Sequence, residues 1–321
     1  MDRSIFSLEA LSNYIVLAAF AVLFVVFAVF AENFLTIQNL MNVLANKVVL
    51  LAIVSLGMTI VIAAGGIDLS VGVSIDMSSM IFIMLIAAGF SGFVGIVGGL
   101  SAAFTVGLLN ALLINKLKIN PFLATLGVLF IGNSTQKLAT NGGLPIYLTR
   151  GEFAPTFEAI SRSTFLGLPT PVWVMIICAV VVYLLLHRMS FGRYVSILGA
   201  KPGVALYSGV RVPREMSKVF IYCALLCGVV GILLSAQVKS YVPLSGDAFL
   251  LDAIGATFIG TALTSDRRPT VIGTLMGVLL LAIIRNGLLL VGWNFFWQQV
   301  GIGVLVFAVL ALSFGLQKKE E

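Results

Sequence analysis

Residues 48–64 read VVLLAIVSLGMTIVIAA, residues 65–72 read GGIDLSVG, and residues 73–89 read VSIDMSSMIFIMLIAAG. Two apolar runs thus flank an eight-residue break, and the runs hold a single charge between them, Asp76. A helix on the surface of a soluble protein keeps a polar face toward water, and neither run has one. At about 1.5 Å per residue, runs of this length approach the roughly 30 Å hydrocarbon core of a bilayer. Backbone groups in lipid must be paired within the chain, so both runs are read as membrane helices. In the break, Gly65 and Gly66 relieve the steric limits that keep a helix going. Asp68 or Ser70 can then cap the following helix by accepting a bond from a free backbone N–H, and Gly72 completes the motif. Two readings of the break stand side by side: a tight capped turn, and a gate. Non-helical backbone at membrane depth is tolerated only where protein buries it or water reaches it.

The pattern extends outward along the chain. Of 321 residues, 60% are hydrophobic and 10% charged, and the mean hydropathy is +1.12. A soluble domain of this length cannot cover its surface with so few charges, so lipid is the solvent for most of the chain. The spacing predicts crossing helices at approximately 14–31, 48–64, 73–89, 94–115, 120–138, 171–187, 217–237, 249–263, 270–291 and 295–315. The expected fold is all-α, a polytopic membrane helical bundle of about ten transmembrane helices in one domain, residues 1–321. Residues 14–30 resemble a signal-peptide core, with Val29 and Ala31 fitting a small-residue cleavage rule. The run is long for that role and follows Asp2 and Glu9, so it is read as a retained first helix.

Charge sets the orientation. With the N-terminus inside and the segments alternating, thirteen of the nineteen basic residues fall in the cytoplasm: Arg3, Lys116, Lys118, Arg188, Arg193, Lys201, Arg211, Arg214, Lys218, Arg267, Arg268, Lys318 and Lys319. Lys47, Lys137, Arg150, Arg162 and Lys239 fall outside, and Arg285 is left within the membrane. Cytoplasmic loops favour Lys and Arg, so both termini are expected there. The same rule accounts for the net charge of +6 without nucleic acid as a partner.

Gly95, Gly99, Ala103 and Gly107 recur at every fourth position, and Gly273 and Gly277 repeat the spacing. Such stripes let helices approach closely in lipid. Residues 34–47, FLTIQNLMNVLANK, are expected to form a short helix on the outer interface, with Leu35, Ile37, Leu40, Val43 and Leu44 on its apolar side. The outer loop 139–170 reads equally as a docking surface or a plain connector. Trp293, Phe295, Phe296 and Trp297 suit an interfacial aromatic belt.

Catalytic equipment is lacking. No G-x-x-x-x-G-K-[ST] phosphate loop occurs, so the chain cannot hydrolyse ATP alone. No paired carboxylates or Ser-His-Asp set stands out, and the single histidine, His187, sits where an apolar run meets a basic loop. Cys178, Cys223 and Cys227 lie inside apolar runs and read as small fillers. The chain is expected to be no enzyme and to hold no metal or cofactor.

GGIDLSVG, preceded by LAIVSLGMTIVIAA, closely resembles the signature of the ribose/xylose/galactose-type ABC transporter permeases. The resemblance continues through NFLTIQNLMNVL at 33–44, INPFLATLG at 119–127, FGRYVSILGAKPGVALYSGV at 191–210 and FLLDAIGATFIGT at 249–261. It implies a permease in the bacterial cytoplasmic (inner) membrane, importing a monosaccharide or related small polyol. It also implies three protein partners: a cytoplasmic ABC ATPase, a periplasmic or extracellular sugar-binding protein, and a second permease chain. By this resemblance Gly65, Gly66, Asp68, Ser70 and Gly72 mark a gating or helix-break motif. Gly199, Ala200, Lys201, Pro202, Ala205, Ser208, Gly209 and Val210 mark the loop that docks on the ATPase. The sequence departs from the family after Gly260-Thr261, where a glycine-rich run is replaced by ALTSDRRPTVI with Asp266, Arg267, Arg268 and Pro269.

Two charges in the membrane are also atypical. Asp76 stands where the family has a small apolar residue, and Arg285 where an amide is common. Each, unpaired, would cost at least roughly 2.5–3.5 kcal/mol. An Asp76–Arg285 ion pair is the expectation, with Asp252 as the rival partner for Arg285. The other functional reading, an ion-coupled secondary transporter, needs acidic residues at the midplane, and Asp76 is its one good candidate.

Overall fold

The structure is a computed structural model and describes residues 8–148, 155–161, 163–200, 202–207, 209, 211–262, 264 and 268–315. Long helices follow the apolar runs. They are α1 (Leu8–Phe30), α2 (Ile37–Val43), α3 (Val49–Ala63), α4 (Val71–Ala87), α5 (Gly92–Asn115) and α6 (Pro121–Ala139). Next come β1 (Ile146–Tyr147), α7 (Pro155–Ser161), β2 (Thr164–Phe165) and β3 (Leu168–Pro169). Then come α8 (Thr170–Tyr183), α9 (Ser190–Ala200), α10 (Pro202–Tyr207), α11 (Val212–Val238), β4 (Ser240–Tyr241), α12 (Asp247–Ala262), α13 (Val271–Leu290) and α14 (Phe295–Gly315). Among the described residues, five helical stretches are long and apolar enough to cross a membrane: Ile37–Ala63, Gly92–Asn115, Thr170–Arg188, Val212–Val238 and Val271–Leu290.

The first of these corrects an expectation. Residues 34–47 do not form a separate interfacial helix. From Ile37 they run on through a π-helical turn, Leu44–Val48, into α3 as one stretch of 27 residues. Neither Gly nor Pro occurs between Ile37 and Leu56, so nothing breaks the helix. Thr36 starts it by accepting a bond from the Asn39 amide at 3.3 Å. The π turn is flanked by an Asn46–Asn42 side-chain bond of 2.6 Å. A second π turn, Leu184–Arg188, ends the helix that begins at Thr170, and there His187 stacks on Tyr183 with ring centroids 4.7 Å apart.

The contacts divide the chain into two compact units, residues 49–251 and residues 1–48 with 252–321. In the first, α11 packs against α3, α4 and α5, and α4 against α5. The small-residue stripe of α5 is a packing surface. A Cβ on Gly99 would lie 3.0 Å from the Ser78 carbonyl oxygen of α4, and one on Gly107 2.9 Å from the Phe220 carbonyl oxygen of α11. Ser78 also donates to the Gly228 carbonyl oxygen at 2.8 Å, tying α4 to α11. The connection between α6 and α8 is tied to the bundle: β1 pairs antiparallel with β4, Ile146 opposite Tyr241. Phe157 of α7 is fully buried and stacks on Phe82 of α4, centroids 5.2 Å apart.

In the second unit the stripe Gly273 and Gly277 meets α12. A Cβ on Gly273 would sit 2.5 Å from the Gly260 carbonyl oxygen, and one on Gly277 would overlap that of Ala256. Phe27 of α1 lies on Gly287 of α13 and packs beside Phe34, centroids 5.9 Å apart. The SDRRPT departure forms the α12–α13 connector. Asp266 and Arg267 lie outside the described residues, while Thr264 donates to the Arg268 carbonyl oxygen at 3.1 Å and Thr270 caps α13 by accepting from the Gly273 amide at 3.1 Å.

Candidate functional site

The break between α3 and α4 is built by its own residues. Gly65 adopts φ +81°, which an L side chain rarely takes. Its amide bonds the Ile62 carbonyl oxygen at 2.9 Å and that of Gly66 bonds Val61 at 3.0 Å, the paired pattern of a Schellman stop. Three residues on, Asp68 is fully buried. Its Oδ1 accepts from the Ser70 amide at 2.8 Å and from the Ser70 hydroxyl at 2.6 Å. Ser70 in turn accepts from Asn110 Nδ2 of α5 at 2.7 Å. Ser70 occupies the N-cap position of α4 and makes no side-chain capping bond; its own amide and hydroxyl are turned onto Asp68. Asp68 Oδ2 and Asn110 Oδ1 are buried without a hydrogen bond. At α6, Thr125 reaches the Ile67 carbonyl oxygen at 3.4 Å.

Gly72 faces a second non-helical segment, residues 242–246, between β4 and α12. A Cβ on Gly72 would lie 2.6 Å from Asp247 Oδ1 and 3.0 Å from the Gly246 carbonyl carbon. One turn along α4, the fully buried Asp76 accepts from Ser245 Oγ at 2.9 Å and from the Gly246 amide at 2.8 Å. Asp247 accepts from Asn133 Nδ2 at 3.2 Å. Gln136 Oε1 takes bonds from Tyr241 Oη at 2.9 Å and the Leu244 amide at 3.2 Å. Asp76, Asn133, Gln136, Tyr241 and Asp247 thus form one polar constellation where α4, α6 and the β4–α12 turn converge. Asp76 alone was singled out from sequence. The others sit apart in the chain, and the legible signal was an amide pair, Asn133 and Gln136, one turn apart in an apolar helix.

Arg285 Nη2 meets Asp252 Oδ1 at 2.6 Å, the rival partner, joining α13 to α12. Asp76 Oδ1 takes two donors from the β4–α12 turn, while its Oδ2 is buried without a hydrogen bond.

The basic loop folds as α9 followed by α10. Phe191, Val195 and Leu198 of α9 are buried, as is Ala205 of α10. Tyr207, which sequence reading passed over, is 95% exposed. Gly209 has φ +71° with open space around it. Ala200 is exposed and Pro202 begins α10; Lys201, Ser208 and Val210 lie outside the described residues. Lys218 is held by Glu215 at 2.8 Å. Gly199 touches the break itself: a Cβ there would overlap the Ala63 carbonyl oxygen, and one on Gly65 would lie 3.2 Å from Gly199 Cα.

The profile of the family described as branched-chain amino acid transport system / permease component matches residues 39–310. The chain belongs to that permease family. The permease is 33% identical over 292 residues to the ribose import permease protein of Bacillus subtilis (strain 168), covering 91% of this chain and 89% of that one. It is 31% identical to the ribose import permease protein of Escherichia coli (strain K12), over 90% of both chains. It is also 31% identical to an autoinducer 2 import system permease protein of Escherichia coli O9:H4 (strain HS), over 88% of this chain and 86% of that one. These relatives support the carbohydrate branch of the ABC permeases, a helical, multi-pass membrane protein and transport subunit rather than an enzyme.

Proposed function

We propose that this permease carries a monosaccharide or related small polyol inward across the bacterial inner membrane. A separate cytoplasmic ATPase supplies the energy, a sugar-binding protein delivers the solute, and a second permease chain completes the pathway. Both termini face the cytoplasm, as the Lys and Arg bias favours. The observation that carries the reading is the similarity to ribose import permeases over about nine-tenths of the chain. The α9–α10 hairpin fits it, since Tyr207 stands almost wholly free at the tip of a loop rich in basic residues. The helix break supplies the buried polar groups of Asp68, Ser70 and Asn110 within the bundle, which suits a gate.

An ion-coupled secondary transporter has less support. Its candidate ligand, Asp76, spends one oxygen on Ser245 and Gly246. Transport in vesicles separates the readings. Uptake of labelled ribose that needs ATP, the ATPase and the binding protein supports the importer. Uphill uptake by the purified chain on an ion gradient alone removes it.

A further inference from the structure

The two motifs singled out in the sequence lie more than a hundred residues apart, yet their backbones touch. Gly65 ends α3 in the left-handed conformation, and its missing Cβ would lie 3.2 Å from Gly199 Cα and 3.7 Å from the Gly199 carbonyl oxygen. The missing Cβ of Gly199 would overlap the Ala63 carbonyl oxygen and lie 3.3 Å from the Gly65 amide nitrogen. No side chain stands between the two segments. A side chain at a contact can absorb a small displacement by changing rotamer; these two glycines, each still exposed on its other side, offer only backbone to one another.

Each end of this contact leads to a firmly held element. Behind Gly65, the chain passes to Asp68, locked by Ser70, which Asn110 locks in turn. Behind Gly199, α9 is anchored through buried Phe191, Val195 and Leu198, and α10 rests on buried Ala205. α10 packs on α9 and ends at the exposed Tyr207, so a push there bears on α9 and, through Gly199, on the break.

We propose that the Gly65–Gly199 backbone contact is the relay by which movement of the α9–α10 hairpin displaces the helix break, with both glycines as positioning residues. The proposal rests on the importer reading, because the force on the hairpin comes from the ATPase. Gly199→Ala inserts a methyl group against the Ala63 carbonyl and separates the two segments. Gly65→Asn is the milder wedge, because Asn tolerates a positive φ and its Cβ meets Gly199 Cα at 3.2 Å. Gly127→Ala, with nothing within 4 Å of the added carbon, is the control.

The test uses the permease–ATPase complex in lipid nanodiscs, with the native cysteines replaced and a reporter thiol from Ile67→Cys in the break. Maleimide labelling is followed with and without ATP, alongside ATP turnover. Without a wedge, labelling of the reporter should change severalfold on adding ATP, and the Gly127→Ala variant should match. With Gly199→Ala or Gly65→Asn, the ATPase should still co-purify and turn over ATP within about twofold, while the ATP response of the reporter falls below twofold. A purely structural role would lower complex yield and turnover together. The relay is overturned if both wedge variants keep the full ATP response, or if the unwedged reporter shows none. Should Gly199→Ala fail to assemble, Gly65→Asn decides. If the unwedged permease captures no ATPase, the importer reading falls first and the relay with it.

Discussion

Arg285 of α13 and Asp252 of α12 meet at 2.6 Å, with 27% of the Arg285 side chain and 9% of the Asp252 side chain exposed. The pair joins two apolar helices whose backbones already approach through Gly277 on Ala256. Asp252 lies one turn before Ala256, and Arg285 two turns after Gly277, so the glycine contact brings the charges within reach.

Removing one partner leaves the other charge without compensation. Asp252→Asn and Arg285→Gln are each expected to cost about 2 kcal/mol, below the range for a fully buried pair because Arg285 keeps a quarter of its surface. The double variant should recover much of that loss. Thermal unfolding in detergent checks this. An Asp76→Asn and Arg285→Gln combination that recovers stability equally well would contradict the assignment.

Asp76 holds the β4–α12 turn through Ser245 and the Gly246 amide. Asp76→Ala should destabilise by roughly 1–3 kcal/mol, since it strands a buried amide and a hydroxyl. Asp76→Asn keeps an oxygen that can accept both bonds and should lose markedly less. Equal losses in a detergent melt would show that charge, rather than the acceptor, matters.

Glycines of identical type should respond with opposite sign. A Cβ on Gly231 of α11 would overlap the Ile75 carbonyl oxygen, whereas one on Gly127 of α6 would meet nothing within 4 Å. Gly231→Ala should cost roughly 1–3 kcal/mol through overpacking. Gly127→Ala should be neutral or stabilise by up to about 1 kcal/mol, because Ala is the better helix former. Melting temperatures of the two variants, measured side by side, decide it.

Tyr207 offers the largest exposed aromatic surface of the α9–α10 hairpin. Truncating a central aromatic anchor commonly costs 2 kcal/mol or more, roughly thirtyfold in affinity. Tyr207→Ala should therefore weaken co-purification with the ATPase about thirtyfold while leaving the melting temperature of the free permease unchanged. Undiminished capture would move the docking surface elsewhere on the loop.

Much of this protein was legible before any coordinates. Apolar runs specify helices because lipid leaves unpaired backbone no alternative, so α4, α5, α6 and α11 lie within a few residues of their expected bounds. Gly65 and Gly66 end a helix by local sterics alone, and GGIDLSVG carried the family resemblance that the relatives support. What local chemistry does not encode is which distant groups meet. A stretch with neither Gly nor Pro from Ile37 to Leu56 could be divided at Lys47 on paper, but the helix runs on through it to Ala63. Arg285 could find either acid; the close approach of α12 and α13 at their glycines selects Asp252. Asn133, Gln136, Tyr241 and Asp247 become a constellation, and Gly65 and Gly199 become neighbours, only when helices pack. Helix formation is a matter of neighbours in sequence, whereas pairing of polar groups in a bundle depends on packing geometry contributed by the whole chain.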